Sequence, residues 1–430
     1  MTTEKNTPLS ATDYLIASKQ AEIQSLNYLL HMGQLVVMIS DLIHALQKER
    51  GASNIYLGSK GSQFEQSLQQ LIGQTNQHLQ AFHQTLSTIH AEISSHAGNS
   101  RLLNRIAYVV HGLAGLDGVR HQIHALNIRP DLAIRVYSEL ISGLLTIVFE
   151  TADAAVDPTI ARVLVAMFNL MHGKELAGQE RAVGAAGFAV GTFTAADIQR
   201  MQHLIDAQER CFELFTEFAN PAALALWQQY ASRPYLIDIE RLRRIAFTGT
   251  PPHRAEQSDH WFDLLTQRID DLKSVETALE VYLQQLCEQK VHDANASLNQ
   301  QQDLIQTLGE DAAEGFVVFL TGHDSASLKP ASLDQYHPEG LSPRLGRSVF
   351  ELVQHQAQRL QHMHDELEAA RTALEERKLQ QKAKALLIKH RKLTEDEAHR
   401  LLRQMAMDQG KKLVDVSRAI IEMAEIWRVS

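Results

Sequence analysis

Between Leu35 and Arg50, the apolar residues Leu35, Ile39, Leu42 and Leu46 recur every three or four positions. That spacing is one face of an α-helix, and Arg50 continues the same stripe. Leu164, Met167, Leu170 and Ala177 repeat the pattern ahead of Arg181. Such periodicity runs through most of the chain, with only 10 prolines to interrupt it, and it restricts the fold to helix packed on helix. It also poses a problem twice over. An arginine on an apolar stripe is costly unless something anionic meets it. The flanking residues echo one another as well: Leu46-Gln-Lys-Glu-Arg-Gly51 and Ala177-Gly-Gln-Glu-Arg-Ala182. Two readings are open. Each guanidinium pairs with a carboxylate, or both converge on one small anion between two helices. Glu49 and Glu180 sit about 100° around an ideal helix from their arginine neighbours, so any carboxylate partner would have to come from another helix.

The hydrophobic fraction of 44% and charged fraction of 21% are those of an ordinary globular chain, and 430 residues leave room for two to four domains. The two cysteines, Cys211 and Cys287, fall inside predicted helices and make neither a disulfide framework nor a metal cluster. Met1-Thr-Thr-Glu-Lys-Asn6 lacks a basic segment followed by an apolar core, so no signal peptide is expected. No apolar run is expected to reach the length of a bilayer span. The expectation is a cytoplasmic protein with no membrane partner. Charge is unevenly divided. From Arg377 onward there are 13 Lys/Arg against 7 Asp/Glu, a balance of +6 in a chain of net charge −10. An acidic body with a basic tail implies that the tail alone meets a polyanion.

In order, residues 1–23 read as disordered. Helices follow at about 21–56, 63–95, 101–126 and from Pro130, the last with Leu132, Val136, Leu140, Leu144 and Val148 on one face. A second set opens at Pro158 and continues at about 195–219, 221–231, 235–247 and 259–295. The stretch Ala182-Val-Gly-Ala-Ala-Gly-Phe-Ala-Val-Gly191 implies close packing around a small pocket. Ile239-Glu-Arg-Leu-Arg-Arg244 adds Arg241 and Arg244 as further candidate guanidiniums. Residues 296–344, with Pro330, Pro338 and Pro343, read as a linker. At 345–376 the apolar spacing returns as a connecting helix or imperfect coiled coil that could support a homodimer.

The tail from 377 reads as a compact helical module. Thr394-Glu-Asp-Glu397 is a capping box opening a helix from Glu395 to Gln409, with Ala398, Leu401, Leu402, Met405 and Ala406 inward. Gly410 ends it, and a last helix runs from Leu413 to Trp427 with Val416, Ala419, Ile420 and Met423 inward. The expected exposed basic residues are Lys382, Lys384, Lys389, Arg391, Lys392, Arg400, Arg403, Lys411, Lys412 and Arg418. The runs Ala383-Lys-Ala-Leu-Leu-Ile-Lys389, Leu393-Thr-Glu-Asp-Glu-Ala398, Leu402-Arg-Gln-Met-Ala406 and Lys412-Leu-Val-Asp-Val416 resemble the ANTAR family of RNA-binding antitermination modules. This sequence departs from the family's pattern at Ala385, where glycine is usual, and at Ser417, where alanine is. The resemblance implies leader RNA stem-loops as the partner. Lysines and arginines would meet phosphates while unpaired loop bases are read.

Leu46-Gln-Lys-Glu-Arg-Gly51, Gln179-Glu-Arg181 and the run from His260 to Glu276 resemble the NIT domain, an all-helical sensor of nitrate and nitrite, over about 24–295. That resemblance implies an anion-binding role for Arg50 and Arg181, and for Arg241 by a weaker match. A guanidinium fork donates two parallel hydrogen bonds to two oxygens of a planar anion without any metal. The expectation is therefore an all-α chain: a pair of helical bundles, a long connecting helix and a three-helix RNA-binding module. Nitrate or nitrite acts as effector, with no cofactor. The anion shifts the packing of the two bundles, the 345–390 helix transmits the shift, and the RNA complex acts on the RNA polymerase elongation complex indirectly.

An enzyme is the main competing class, and the chain offers no phosphate-cradling glycine loop, nucleophile elbow or HExxH. No catalytic or metal-ligating residue is assigned. A phosphoacceptor response regulator would need alternating strands and helices, which the body lacks. The remaining alternative is a helical interaction protein that answers to another small anion or to a protein partner.

Overall fold

The computed structural model describes residues 11–95, 99–248, 255–309, 379–380, 383–384, 386–388, 395–409 and 413–426. Regular structure among the described residues is all helical. The helices are α1 (Ala11–Gly58), α2 (Glu65–Ser95), α3 (Ser100–Ala114), α4 (Leu116–His124), α5 (Pro130–Ala154) and α6 (Pro158–Val190). After these come α7 (Ala195–Phe218), α8 (Pro221–Ala231), α9 (Tyr235–Phe247), α10 (Ala255–Gly309), α11 (Glu395–Gln409) and α12 (Leu413–Ile426).

Local chemistry fixes several boundaries. Asp157 caps α6 by accepting from the Thr159 and Ile160 amides, Pro158 stands in its first turn, and Gly191 closes it in the left-handed region. Thr194 and Asp197 form a reciprocal capping box on α7, and Asn220 caps α8 ahead of Pro221. Three differences from the periodicity stand out. α1 begins at Ala11 rather than near residue 21. The helix expected at 101–126 is two, broken at Gly115, where Gly112, Gly115 and Gly118 lower helix propensity in succession. α10 continues to Gly309, so the first part of the expected linker is helical. The rest of that linker, the 345–376 helix and the Thr394 cap lie outside the described residues.

Two helical segments, Asp13–Gly58 and Pro130–Ala154, are long and apolar enough to cross a bilayer by length and composition, where the sequence had suggested none. Burial explains their apolarity. On α1, Leu35, Ile39, Leu42 and Leu46 are wholly buried against neighbouring helices. The inward stripe of α5 runs through Ala133, Tyr137, Leu140, Ile141, Leu144 and Val148, while Leu132 faces out.

The chain divides into two compact units, one of Met1–Asn27 with Glu288–Glu366, the other of Tyr28–Cys287 with Leu367–Ser430. In the first, Lys19 pairs with Glu22 at 2.7 Å. The second holds both arginine motifs. Its α6 packs on α7, α5 and α9, and Phe188, Phe193, Met201, Ile239, Leu242, Trp261 and Leu265 form a core between α6, α7, α9 and α10. Gly184 and Gly187 serve that core. A methyl group at Gly184 would lie 2.3 Å from the Trp261 ring, and one at Gly187 would lie 2.2 Å from Phe193. The small-residue stretch therefore receives two aromatic rings where a pocket had been expected.

The C-terminal helices make their own cluster, in which Ala383 and Leu387 pack with Ala398, Leu402, Ala406, Val416 and Ile420. Ala419 is exposed instead of inward. Val414 and Ser417 take the buried positions, a face turned slightly from the one expected. The Ser417 hydroxyl donates to the Leu413 carbonyl at 2.7 Å, so the departure from alanine introduces no unsatisfied group.

Candidate anion site between α1, α6 and α10

Arg50 and Arg181 are both buried, at 2% and 4% exposure, and they approach each other between α1 and α6. Each guanidinium lies against the glycine of the other motif. A methyl group at Gly178 would be 2.6 Å from Arg50 Nη2, and one at Gly51 would be 2.7 Å from Arg181 Nη2. The echoed sequence is thus a reciprocal device. Small residues beside each arginine clear room for the guanidinium that crosses from the facing helix.

The two arginines differ in what they hold. Arg50 forms a two-point pair with Glu175 of α6, Nη1 to Oε1 at 2.5 Å and Nη2 to Oε2 at 3.1 Å. It also donates to Ser138 Oγ at 2.8 Å. Arg181 has uncharged acceptors, Thr266 Oγ1 at 2.8 Å and the Gln47 carbonyl at 3.3 Å. Its guanidinium lies over the Phe262 ring, 4.5 Å from the centroid. Among the described residues no carboxylate comes within ion-pair distance of it. Burial, and then the charge of Arg50, push its pKa down to about 10, because a second cation and a dry setting both disfavour the charged form. Arg50 thus has a carboxylate partner in Glu175, and Arg181 has none among the described residues.

Glu49 and Glu180 are engaged elsewhere, as their helical phase requires. Arg120 of α4 binds Glu49 through Nε at 2.8 Å and Nη2 at 2.9 Å, and the Tyr137 hydroxyl adds a bond of 2.6 Å. Arg243 of α9 binds Glu180 through Nε and Nη2, both at 2.7 Å, and Gln208 donates to it at 2.9 Å. Burial alone would raise the Glu180 carboxyl, but Arg243, Arg268 and Gln208 outweigh it and hold it below its ordinary range. Each motif therefore has an inward arginine and an acid clamped by an arginine from its own half of the chain.

A charged seam continues along the same three helices. Lys174, wholly buried, pairs with Glu276 at 2.7 Å. Lys273 pairs with Asp41 at 2.8 Å and Glu280 at 2.7 Å. Ser40 bridges Glu276 and Glu280. Burial and the surrounding lysines keep the His44 imidazole far below its ordinary pKa and so neutral.

Arg241 does not join this cluster. Its side chain is 75% exposed and lies 3.8 Å from Asp238, whereas Arg243, two positions on, is the buried arginine of α9. Of the basic tail, Arg400, Arg403 and Arg418 are exposed. Lys384 is instead buried, at 7% exposure, next in sequence to Ala383 of the inner cluster. Lys382, Lys389, Arg391, Lys392, Lys411 and Lys412 lie outside the described residues.

Sequence reasoning missed Glu175, Ser138, Thr266 and Phe262. Phe262 and Thr266 lie inside the His260–Glu276 run that carried the resemblance, one turn apart on the face turned to Arg181. Glu175 had a detectable signal: Lys174-Glu175 interrupts the apolar stripe between Leu170 and Ala177.

Comparison with known proteins agrees with this anatomy. Residues 41–284 match the NIT family, described as nitrate and nitrite sensing, and residues 368–421 match the ANTAR domain. The nitrate regulatory protein of Klebsiella oxytoca is 34% identical over 426 residues, covering 99% of this chain and 98% of that protein. The solved structure of the NasR transcription antiterminator superposes with a TM-score of 0.59 at 33% identity, over 96% of this chain and 99% of that one. With an all-helical sensor body, two buried arginines and a C-terminal ANTAR module, the chain belongs to the family of nitrate-responsive transcription antiterminators that join a NIT domain to an ANTAR domain.

Proposed function

We propose that nitrate or nitrite binds between α1 and α6 at Arg50 and Arg181, and that its binding controls RNA recognition by the tail. The observation that carries this reading is Arg181, a buried guanidinium next to a second one and, among the described residues, without a carboxylate partner. A planar monoanion placed there supplies the missing charge and accepts hydrogen bonds from donors already ordered. Nitrate is weakly hydrated and loses little on entering a dry cleft. A divalent anion such as sulfate carries a larger desolvation cost.

On the output side, Arg400 and Arg403 lie one turn apart on α11, and Arg418 is exposed on α12. With the remaining tail lysines and arginines they would contact the backbone of leader RNA stem-loops. The bound complex then acts on RNA polymerase through the RNA it holds, in the cytoplasm, and as a homodimer. The test is isothermal titration of sodium nitrate into wild type, Arg50→Ala and Arg181→Ala, with sodium chloride and sodium sulfate as controls. Saturable nitrate heat in wild type and its loss in both variants is the expected result. Undiminished binding in folded variants would remove this site.

A further inference from the structure

We infer that Glu175 is an internal competitor of the effector: its carboxylate fills the Arg50 fork and must leave it for a planar anion to bind. The inference rests on the reading that the anion is held by both arginines. Four donors converge on this one carboxylate. Oε1 accepts from Arg50 Nη1 at 2.5 Å and from Gln179 Nε2 at 3.0 Å. Oε2 accepts from Arg50 Nη2 at 3.1 Å and from Gln47 Nε2 at 2.9 Å. A planar group with two oxygens, each taking two hydrogen bonds, is the pattern a nitrite ion or one edge of a nitrate ion presents to the same donors. Glu175 is thus a tethered stand-in for the effector.

Geometry favours displacement over simple addition. The Nη atoms of Arg181 already reach apart, one to Thr266 on α10 and one to the Gln47 carbonyl on α1. An anion shared by both guanidiniums therefore needs the Arg50 fork, and Glu175 sits in it. Gln47 lies between the two states: its carbonyl accepts from Arg181 while its side chain holds Glu175. Displacement would also release a tether. Glu175 on α6 is bonded to Arg50 and Gln47 on α1, whereas a free anion in its place belongs to neither helix. Glu175 in this way sets effector affinity and couples occupancy to the packing of α1 on α6.

The test compares nitrate affinity by isothermal titration at constant ionic strength in full-length wild type, Glu175→Gln and Glu175→Asp, with folding checked by circular dichroism. Glu175→Gln is expected to bind nitrate at least about tenfold more tightly. Glu175→Asp keeps the charge but withdraws it from the fork, so its tighter binding separates competition at the fork from a general electrostatic gain. It also preserves the test if the glutamine variant fails to fold. Equal or weaker nitrate binding in the folded variants would overturn the inference, and Glu175 would then be a support that positions Arg50. The underlying reading fails separately, on nitrate binding that ignores Arg50→Ala and Arg181→Ala.

Discussion

Arg50 and Arg181 occupy the same cleft, but their removal should have opposite consequences for the empty protein. Arg50 neutralises Glu175, which is itself buried. Arg50→Met leaves that carboxylate without its counter-ion, and breaking a buried pair from one side costs about 3–5 kcal/mol. Arg181 has no such partner among the described residues. Its depressed pKa reflects a cation held against burial and against Arg50. Arg181→Met therefore leaves stability unchanged or raises it by about 1–2 kcal/mol, since replacing an uncompensated buried charge with an apolar chain of similar volume relieves desolvation. Thermal or urea unfolding of the two variants without nitrate checks the contrast. A loss of stability in Arg181→Met comparable to that in Arg50→Met would show that Arg181 is a structural arginine. In wild type, nitrate at a hundred times its dissociation constant should add about 2.7 kcal/mol, and in Arg181→Met nothing. On the proposed reading, a sensor that keeps one buried cation without a counter-ion until the anion arrives would give up some stability for response at Arg181.

At the scale of elements, α6 does two jobs along its length, and its glycines separate them. Gly178 gives space to Arg50, while Gly184 gives space to Trp261, which is fully buried and donates its indole N–H to the Arg181 carbonyl at 3.1 Å. Gly178→Ala would press on the flexible end of a side chain. The fold should survive with its stability within about 1 kcal/mol, while nitrate affinity falls as the guanidinium is pushed aside. Gly184→Ala meets a rigid ring in a packed core and should cost about 1–3 kcal/mol, with little effect on affinity in the protein that remains folded. Calorimetric unfolding beside nitrate titration separates the two; equal effects on affinity would contradict the assignment. Helix positions were legible in the sequence because the apolar period begins at a first-turn proline at Pro130 and Pro158. The inward arginines were legible for the same reason. Their partners were not: Glu175 reaches Arg50 across the packing of α6 on α1, and periodicity on one helix says nothing of what the next helix brings. Arg241 shows the limit from the other side. Arg241 and Arg243 stand two positions apart on α9, so at about 100° per residue they face different directions, and the motif alone did not say which one is buried.

For the whole molecule, the sequence division into an acidic body and a basic tail corresponds to a NIT match and an ANTAR match, with the effector site in the first and RNA binding in the second. Linkage makes their coupling reciprocal: an anion that strengthens RNA binding is itself bound more tightly when RNA is present. The most direct measurement is the affinity of full-length protein for an RNA carrying paired stem-loops from a nitrate-assimilation leader, by fluorescence anisotropy with and without nitrate at fixed ionic strength. Wild type and Arg181→Ala would be compared side by side. The account predicts that nitrate tightens RNA binding by at least about fivefold in wild type and leaves Arg181→Ala unchanged. An equal nitrate response in the variant, or none in wild type, would contradict it.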